Sequence, residues 1–174
     1  MLFRNRLASS ATATTRAGGW IACAFAVLAL AVPAQAQYNQ RIGNEMAKCA
    51  AGAGPAVRVT INDIKSSSGN IRVQLYRATK ADWLASGRWL NRMELPARAG
   101  SMTVCVPAPG PGTYGIAVRH DANGNGKTDL TKDGGGMSNN PSINIFNLGK
   151  PSHTRVAFEL GDTVKPMTIR MRYM

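Results

Sequence analysis

Apolar residues recur at every second position in six segments of the chain, the pattern of a β-strand with one buried face. Glycine, asparagine, proline and serine separate these segments, and helical periodicity is scarce. The six apolar sets are Val57, Val59 and Ile61; Ile71, Val73 and Leu75; Met102, Val104 and Val106; Tyr114, Ile116 and Val118; Val156, Phe158 and Leu160; and Met167, Ile169, Met171 and Tyr173.

This pattern predicts an all-β fold, an antiparallel β-sandwich of about seven strands. The seventh strand is expected near Ile143 to Phe146. One short helix is expected from Lys80 to Ser86, because Thr79 suits its amino end and Gly87 suits its termination. No internal repeat or second domain is visible, so one sandwich is expected to span residues 56–174.

Residues 1–36 have the features of a secretory signal peptide. Arg4, Arg6 and Arg16 give a basic start, and a mostly apolar, uncharged run follows from Trp20 to Val32. Ala34-Gln35-Ala36 matches an A-x-A cleavage site. We expect cleavage after Ala36 and a periplasmic or extracellular mature protein. The apolar run is short for a membrane span, and no transmembrane segment is expected in the mature chain.

Two cysteines remain in the expected mature chain, Cys49 and Cys105, because Cys23 lies in the signal segment. In an oxidising compartment this pair is expected to form a disulfide, with free thiols or a shared metal as the alternatives. Cys105 is on the polar phase of its strand. A bridge there would hold an N-terminal segment, residues 37–55, against the outside of the sandwich.

The chain is strongly basic, with a formal net charge of +12 at pH 7. On one interpretation, arginines on the polar phase of the strands gather on outer faces and attract anionic lipids or polysaccharides. On the other, they form a solvated face that protects strand edges. Nucleic acid is an unfavoured partner because no aromatic residues interleave with the arginines. The arginines concerned are Arg58, Arg72, Arg119, Arg155, Arg170 and Arg172.

Oxygen-bearing side chains follow the fourth predicted strand with the spacing D-x-[DN]-x-[DN]-G, which opens many calcium loops. A true EF-hand is excluded, because the twelfth residue is Lys132 and a strand precedes the loop. A single weak calcium site and a plain turn of self-capping Asx residues are both consistent with the pattern. The candidate ligands are Asp121, Asn123, Asn125 and Asp129, with the Lys127 carbonyl and Asp133.

These residues also carry a family resemblance. Gly112 to Asp121 reads G-T-Y-x-hydrophobic and runs into H-D-x-N-G-N-G-K-x-D, and Gly136 to Asn140 reads G-x-S-N-N. The chain resembles a family of small secreted bacterial proteins defined as a domain of unknown function. The resemblance implies an immunoglobulin- or transthyretin-like β-sandwich and no established activity. The family's longer I-P-x-E-G-Y-G-F stretch is replaced here by Lys132 to Met137.

No catalytic residues are predicted. His120 lies on the same strand face as Tyr114, so it is expected to end the core, and the adjacent Asp121 points the other way. Ser138 is in no G-x-S-x-G elbow. Hydrolysis through His120 is the least favoured function, and zinc is disfavoured by the expected disulfide.

The sequence therefore predicts a non-catalytic binding or structural module of the cell envelope. In this hypothesis calcium orders the loop, which presents Met137, Ser138, Asn139 and Asn140 to an envelope protein, peptide or polysaccharide. The alternative is an electrostatic binder of anionic envelope lipids or polysaccharides. Trp83, Trp89 and Leu90 are expected either to cap the core or to offer a binding platform.

Overall fold

The alternating segments form strands in a computed structural model that describes residues 37–129, 131–142 and 149–174. Ten strands, one 3₁₀ turn at Met46–Cys49 and one helical turn, α1, at His153–Val156 lie in these residues. The strands are β1 Gln40–Arg41, β2 Ala56–Ile64, β3 Asn70–Arg77, β4 Asn91–Pro96, β5 Gly100–Pro107, β6 Gly112–Asp121, β7 Gly134–Met137, β8 Phe158–Leu160, β9 Val164–Arg170 and β10 Arg172–Tyr173.

The strands make two sheets. The large sheet has the order β1-β4-β3-β6-β7-β10, with β8 also paired to β6, and the small sheet has the order β5-β2-β9. The predicted all-β sandwich is confirmed, but it is not purely antiparallel. Strands β1 and β4 run parallel, as do β2 and β9. The parallel pairs join strands that are distant in sequence, which period-two patterning cannot reveal.

The core lies between the sheets and contains the predicted apolar faces. Ile61 of β2, Val73 of β3, Ile116 of β6 and Ile169 of β9 are all fully buried or nearly so. Each such side chain contributes roughly 1.5–3 kcal/mol relative to an exposed position. A slip of one residue would turn a whole row toward water, so this burial fixes the register of each strand.

The predicted short helix is wrong in position. Around Thr79 the chain makes a turn in which the Trp83 N–H donates to the Thr79 carbonyl at 3.0 Å, and no helix continues from it. The Thr79 hydroxyl does accept the Asp82 N–H at 3.1 Å, as expected of a cap. The helical turn α1 instead includes Arg155 and Val156, so the strand predicted there begins only at Phe158.

Three strands were not predicted. β4 is short and carries two charges, β7 reads Gly-Gly-Gly-Met, and β1 has two polar residues, so none shows a clear apolar alternation. The strand expected near Ile143 to Phe146 and the expected signal peptide lie outside the described residues. In the described part of the chain, no helix has the length and hydrophobicity needed to cross a membrane.

The predicted disulfide joins Cys49 to Cys105. Both cysteines are fully buried and pack with Ala56 and Val164 in a small cluster apart from the main core. Asn44 reinforces this attachment, because its side-chain oxygen accepts the Cys105 N–H at 2.9 Å. The N-terminal segment thus lies on the small sheet at this end, while β1 adds to the large sheet.

Removing the disulfide is expected to destabilise the fold. The bridged residues are 56 positions apart, and chain entropy then gives an upper value of about 4 kcal/mol in the free energy of unfolding. Tm should fall by roughly 10 °C in the Cys49→Ala/Cys105→Ala variant, measured by circular dichroism. Reductant should lower the Tm of the wild type and leave that of the variant unchanged. Equal melting of both proteins would contradict the expected role.

Candidate functional site

The loop after β6 is closed by its own side chains. The Asn123 side-chain oxygen accepts the Asn125 N–H at 3.2 Å, and the Asn125 oxygen accepts the Lys127 N–H at 2.8 Å. Gly124 and Gly126 have positive φ angles, which glycine adopts without steric cost. These are the Asx turns that the sequence offered as the alternative to a calcium site. They define the backbone path of the loop after β6.

Two aspartates tie the ends of the loop together. Asp133 is buried, and its carboxylate accepts the Ala122 N–H at 3.2 Å and the Asp129 N–H at 2.9 Å. Asp129 accepts both the N–H and the hydroxyl of Thr131. Those hydrogen bonds hold the pKa of the exposed Asp129 carboxyl below its ordinary value.

Arg119 inserts its guanidinium into this loop. It donates to the Asp121 carboxylate at 3.2 Å, to the Gly126 carbonyl at 3.1 Å and to the Thr128 hydroxyl at 3.1 Å. The Gly126 N–H also donates to the same Asp121 oxygen at 2.8 Å. Arg119 Nε and Asp121 Oδ1 are both buried and have no hydrogen-bond partner among the residues that the structure describes. Arg119 therefore supplies a positive charge at the point where calcium was predicted.

The six predicted calcium ligands lie in one loop, but no cluster of three or more His, Cys, Asp or Glu residues suited to a metal occurs among the described residues. The side-chain oxygens are mainly used to accept backbone N–H groups. Calcium binding stays a prediction.

His120 completes the core rather than a catalytic site. It is fully buried, with Nδ1 2.8 Å from the Tyr173 hydroxyl and Nε2 2.8 Å from the Ser68 carbonyl. A carbonyl only accepts, so Nε2 carries the proton. The Tyr173 hydroxyl then donates to Nδ1 and accepts the Lys65 N–H at 2.9 Å. Both ring nitrogens are thus engaged inside the protein, and Asp121 does not orient the ring.

The Ser138-Asn139-Asn140 segment braces the fold, and within it Ser138 is buried while Asn139 is exposed. Ser138 is fully buried; its hydroxyl accepts the Ile116 N–H at 3.0 Å and donates to the Val156 carbonyl at 2.6 Å. Asn139 donates to the Ala157 carbonyl, and Asn140 bonds the backbone of β9 through both ends of its amide. Met137 is also buried. Met137 and Ser138 are therefore not part of an accessible surface, whereas a recognition role for Asn139 and Asn140 stays a prediction.

The two asparagines have positive φ angles, 63° for Asn139 and 48° for Asn140. Asparagine tolerates the left-handed region better than most residues. The Asn-Asn pair of the G-x-S-N-N motif therefore forms a tight turn.

A groove lies on the outer face of the large sheet, opposite the core. Its volume is about 350 Å³. Residues of β3, β6 and β7 form its floor, including Gln74, Ala117 and Gly135, and Thr128 and Asp129 of the loop form part of its rim. No sequence motif pointed to this groove, because its walls come from distant parts of the chain.

Arginines cross the groove in one row. Glu94, Arg72, Arg119, Gly135 and Arg172 are directly opposite one another on β4, β3, β6, β7 and β10. Directly opposite residues lie on the same face of a sheet. We call Arg72, Arg119 and Arg172 the arginine row. Of the other candidate arginines, Arg58 donates to the Cys49 carbonyl, Arg155 is in α1 and Arg170 is exposed on the small sheet.

An aromatic cluster covers the neighbouring part of the same face. Tyr76 and Trp83 pack edge to face with ring centroids 5.4 Å apart, and Arg92 lies 4.3 Å from the centre of the Trp89 ring. Gly115 makes room, since a Cβ there would lie 2.8 Å from Trp83. Leu90 belongs to the main core. The tryptophans thus pack on the outer face, and they neither cap the core nor offer a free platform.

Asp82 holds this cluster to the N-terminal segment. Its carboxylate accepts hydrogen bonds from the Tyr38 hydroxyl at 3.1 Å, the Thr79 hydroxyl at 2.8 Å and Arg88 Nε at 2.7 Å. Burial alone would raise the pKa of Asp82, but these hydrogen bonds outweigh it and hold the pKa below its ordinary value. Sequence reasoning did not single out Asp82.

Fold and groove together define a two-sheet, all-β sandwich with a cationic outer face. The chain belongs to a bacterial family described as "Uncharacterized protein conserved in bacteria (DUF2141)", whose sequence model matches residues 59–168. No curated protein and no solved structure matches the chain significantly. Membership agrees with the expected family of unknown function, while the immunoglobulin- or transthyretin-like shape stays an expectation.

Asp82 should make stability depend on acid pH. A carboxyl whose pKa is depressed by folding stabilises the protein above its unfolded pKa of about 3.9, and this contribution is lost as pH falls through the folded value. Asp82→Asn should lower the free energy of unfolding at pH 7 by about 1–3 kcal/mol and flatten its decline below pH of about 4. Urea unfolding at several pH values measures both.

The control for that experiment is Asp162→Asn, since Asp162 is exposed and makes no side-chain hydrogen bond among the described residues. The free energy of unfolding of this variant should depend on pH as that of the wild type does. If the free energy of unfolding fell equally with pH in Asp82→Asn and in the wild type across the acid range, the assigned role of Asp82 would be contradicted.

Proposed function

We propose that this protein is a non-catalytic binding module of the bacterial cell envelope, and that the groove on the large sheet is its ligand site. The observation that carries the proposal is the groove itself, a cavity of about 350 Å³ on a rigid sheet. Ligand pockets commonly have volumes of about 300–1,000 Å³. The disulfide and the expected signal peptide support an oxidising location outside the cytoplasm.

The state of the reactive side chains supports binding rather than catalysis. His120 has both nitrogens bonded within the core, and the Ser138 hydroxyl bonds two buried backbone groups. A nucleophile or general base needs an atom that can reach a substrate. The groove instead presents polar side chains that can contact a ligand. These belong to its arginines, to Gln74 and to the loop residues at its rim.

Filling the groove should abolish binding. Gly135→Phe places a bulky side chain on the groove floor, and the matched control is Gly161→Phe, because a side chain at Gly161 meets no atom within 4 Å. Both proteins are tested by calorimetry against purified polymers of defined charge: dextran, polygalacturonate and peptidoglycan fragments. We expect at least one polymer to bind the wild type and the control but not Gly135→Phe, with melting curves showing that all three proteins fold.

Binding that survives in folded Gly135→Phe would remove the groove from the proposal. A wild type that binds none of the polymers would contradict the assignment of a binding module for envelope polymers.

We propose calcium binding by the 121–133 loop as a second function. The specific observation that favours it is Asp121, whose Oδ1 is buried without a partner while Oδ2 accepts the Gly126 N–H. An unpartnered buried carboxylate oxygen is costly, and a hard cation would satisfy it. Binding would require the Arg119 guanidinium to move away from Asp121, so the site would be weak.

Calorimetric titration tests this second proposal. We expect a dissociation constant on the order of 0.1–1 mM, and a 0.1 mM site in about 10 mM calcium should add roughly 2.7 kcal/mol of stability. Asp121→Asn should abolish the heat and the melting shift, whereas Asp162→Asn should keep both. No heat and no shift in the wild type would identify the loop as a set of Asx turns.

A further inference from the structure

We infer that the groove binds an acidic polysaccharide, a chain of sugars with carboxylate groups that pair with the arginine row. This inference rests on the proposed function of the groove and adds the chemical class of its ligand.

The row presents positive charge at three points across the sheet. Neighbouring strands lie about 4.8 Å apart, and Arg72 is directly opposite Arg119. Gly135 separates Arg119 from Arg172, so these two arginines stand two strands apart, at roughly 10 Å. The glycine adds no side chain between them. A polymer with one anionic group per sugar can meet such a row at several points, whereas a single small anion meets one or two.

Like charges directly opposite on neighbouring strands destabilise a sheet. Two of the three arginines in the row have an acidic partner, and the third does not. Glu94 pairs with Arg72 at 2.7 Å, and Asp121 pairs with Arg119 at 3.2 Å. The Arg172 side chain makes no hydrogen bond or ion pair in the described part of the chain, and the residue is exposed. The groove rim adds Lys150 near this end. Arg172 is therefore the arginine most available to an incoming carboxylate.

Arg92 adds positive charge next to the arginine row, two residues before Glu94 on β4. Arg92 faces Gln74 in the register of β3 and β4. Burial lowers the pKa of Arg92, and the nearby charge of Arg72 lowers it further. Bound carboxylates would offset this mutual repulsion, and the guanidinium group suits them because it can donate two parallel hydrogen bonds.

The surface fits a sugar chain better than a membrane or a nucleic acid. Among the described residues, only Met46 and Met174 are exposed large hydrophobic residues, so this part of the chain offers no apolar wedge to enter a bilayer. Single-stranded nucleic acid needs open aromatic faces for stacking. Here Arg92 covers Trp89, and Tyr76 and Trp83 pack on each other. The concave floor offers Gln74 and small residues, which suit hydroxyl-rich rings.

Binding of polygalacturonate by the purified protein tests the inference, with dextran as the neutral polymer and vesicles of anionic phospholipid as the membrane probe. The key variant is Arg172→Gln. The matched control is Arg170→Gln, which removes the same charge from an exposed position on the small sheet. We expect polygalacturonate to bind with an affinity that falls as salt rises, about tenfold or more weaker in Arg172→Gln and nearly unchanged in Arg170→Gln.

Four results would overturn the inference. Equal weakening by Arg170→Gln would mean unspecific attraction to a basic protein, and tighter Arg172-dependent binding to vesicles would identify a lipid surface instead. Dextran that binds in the groove, is lost in Gly135→Phe and is unaffected by Arg172→Gln would refute the acidic ligand while leaving the proposed function intact. If none of these probes binds, the inference fails, and the proposed function fails with it when peptidoglycan fragments do not bind either.

Discussion

Strand β6 is the constraint on which the rest of the structure depends. It pairs with β3 along one side and with β7 and β8 along the other. Its inward side chains are buried in the core, and the alternation of a strand then forces the intervening residues onto the outer face. Burial of Ile116 and Val118 thereby fixes the direction of Ala117 and Arg119. The outward position of Arg119 in the arginine row is thus a consequence of core packing by Ile116 and Val118. The loop that begins at Asp121 starts where this strand ends.

The neighbouring strand β7 shows why such a face can form. A Cβ on Gly134 would lie 2.4 Å from Tyr173, and one on Gly136 would lie 2.8 Å from Ile169. Glycine at these inward positions lets β7 approach the strands that cover it. At the outward position Gly135 leaves a gap between two arginines. Three consecutive glycines thus serve close packing on one face and an open groove on the other.

The fold was readable from the sequence where the signal was local. The apolar sets of β2, β3, β5, β6 and β9 predicted their strands because each strand buries one face. The disulfide followed from two cysteines in a chain that was expected to reach an oxidising compartment. The parallel pairing of β2 with β9 and the strand Gly134–Met137 were not readable, since the first depends on distant partners and the second has no apolar alternation.

The candidate site divides in the same way. Asp121, Asn123 and Asn125 were placed correctly in one turn-forming loop, because their hydrogen bonds reach only a few residues along the chain. The arginine row was not predicted. It exists because Arg72 is opposite Arg119 and Gly135 is opposite Arg172, and these pairings depend on the order of strands in the sheet, which a local sequence pattern does not reveal. Ser138 was misjudged for a related reason: its partners, Ile116 and Val156, are close only in the folded protein.

Polar residues of this protein therefore fall into two physical groups. His120, Asp133, Ser138 and Asn140 use their donors and acceptors inside the fold, and exchanging any of these bonds for a ligand would leave a backbone group or another buried group without a partner. The Arg172 side chain has no such bond to lose among the described residues. A ligand that pairs with it therefore breaks no existing interaction of that side chain there, so Arg172 is where binding free energy is available.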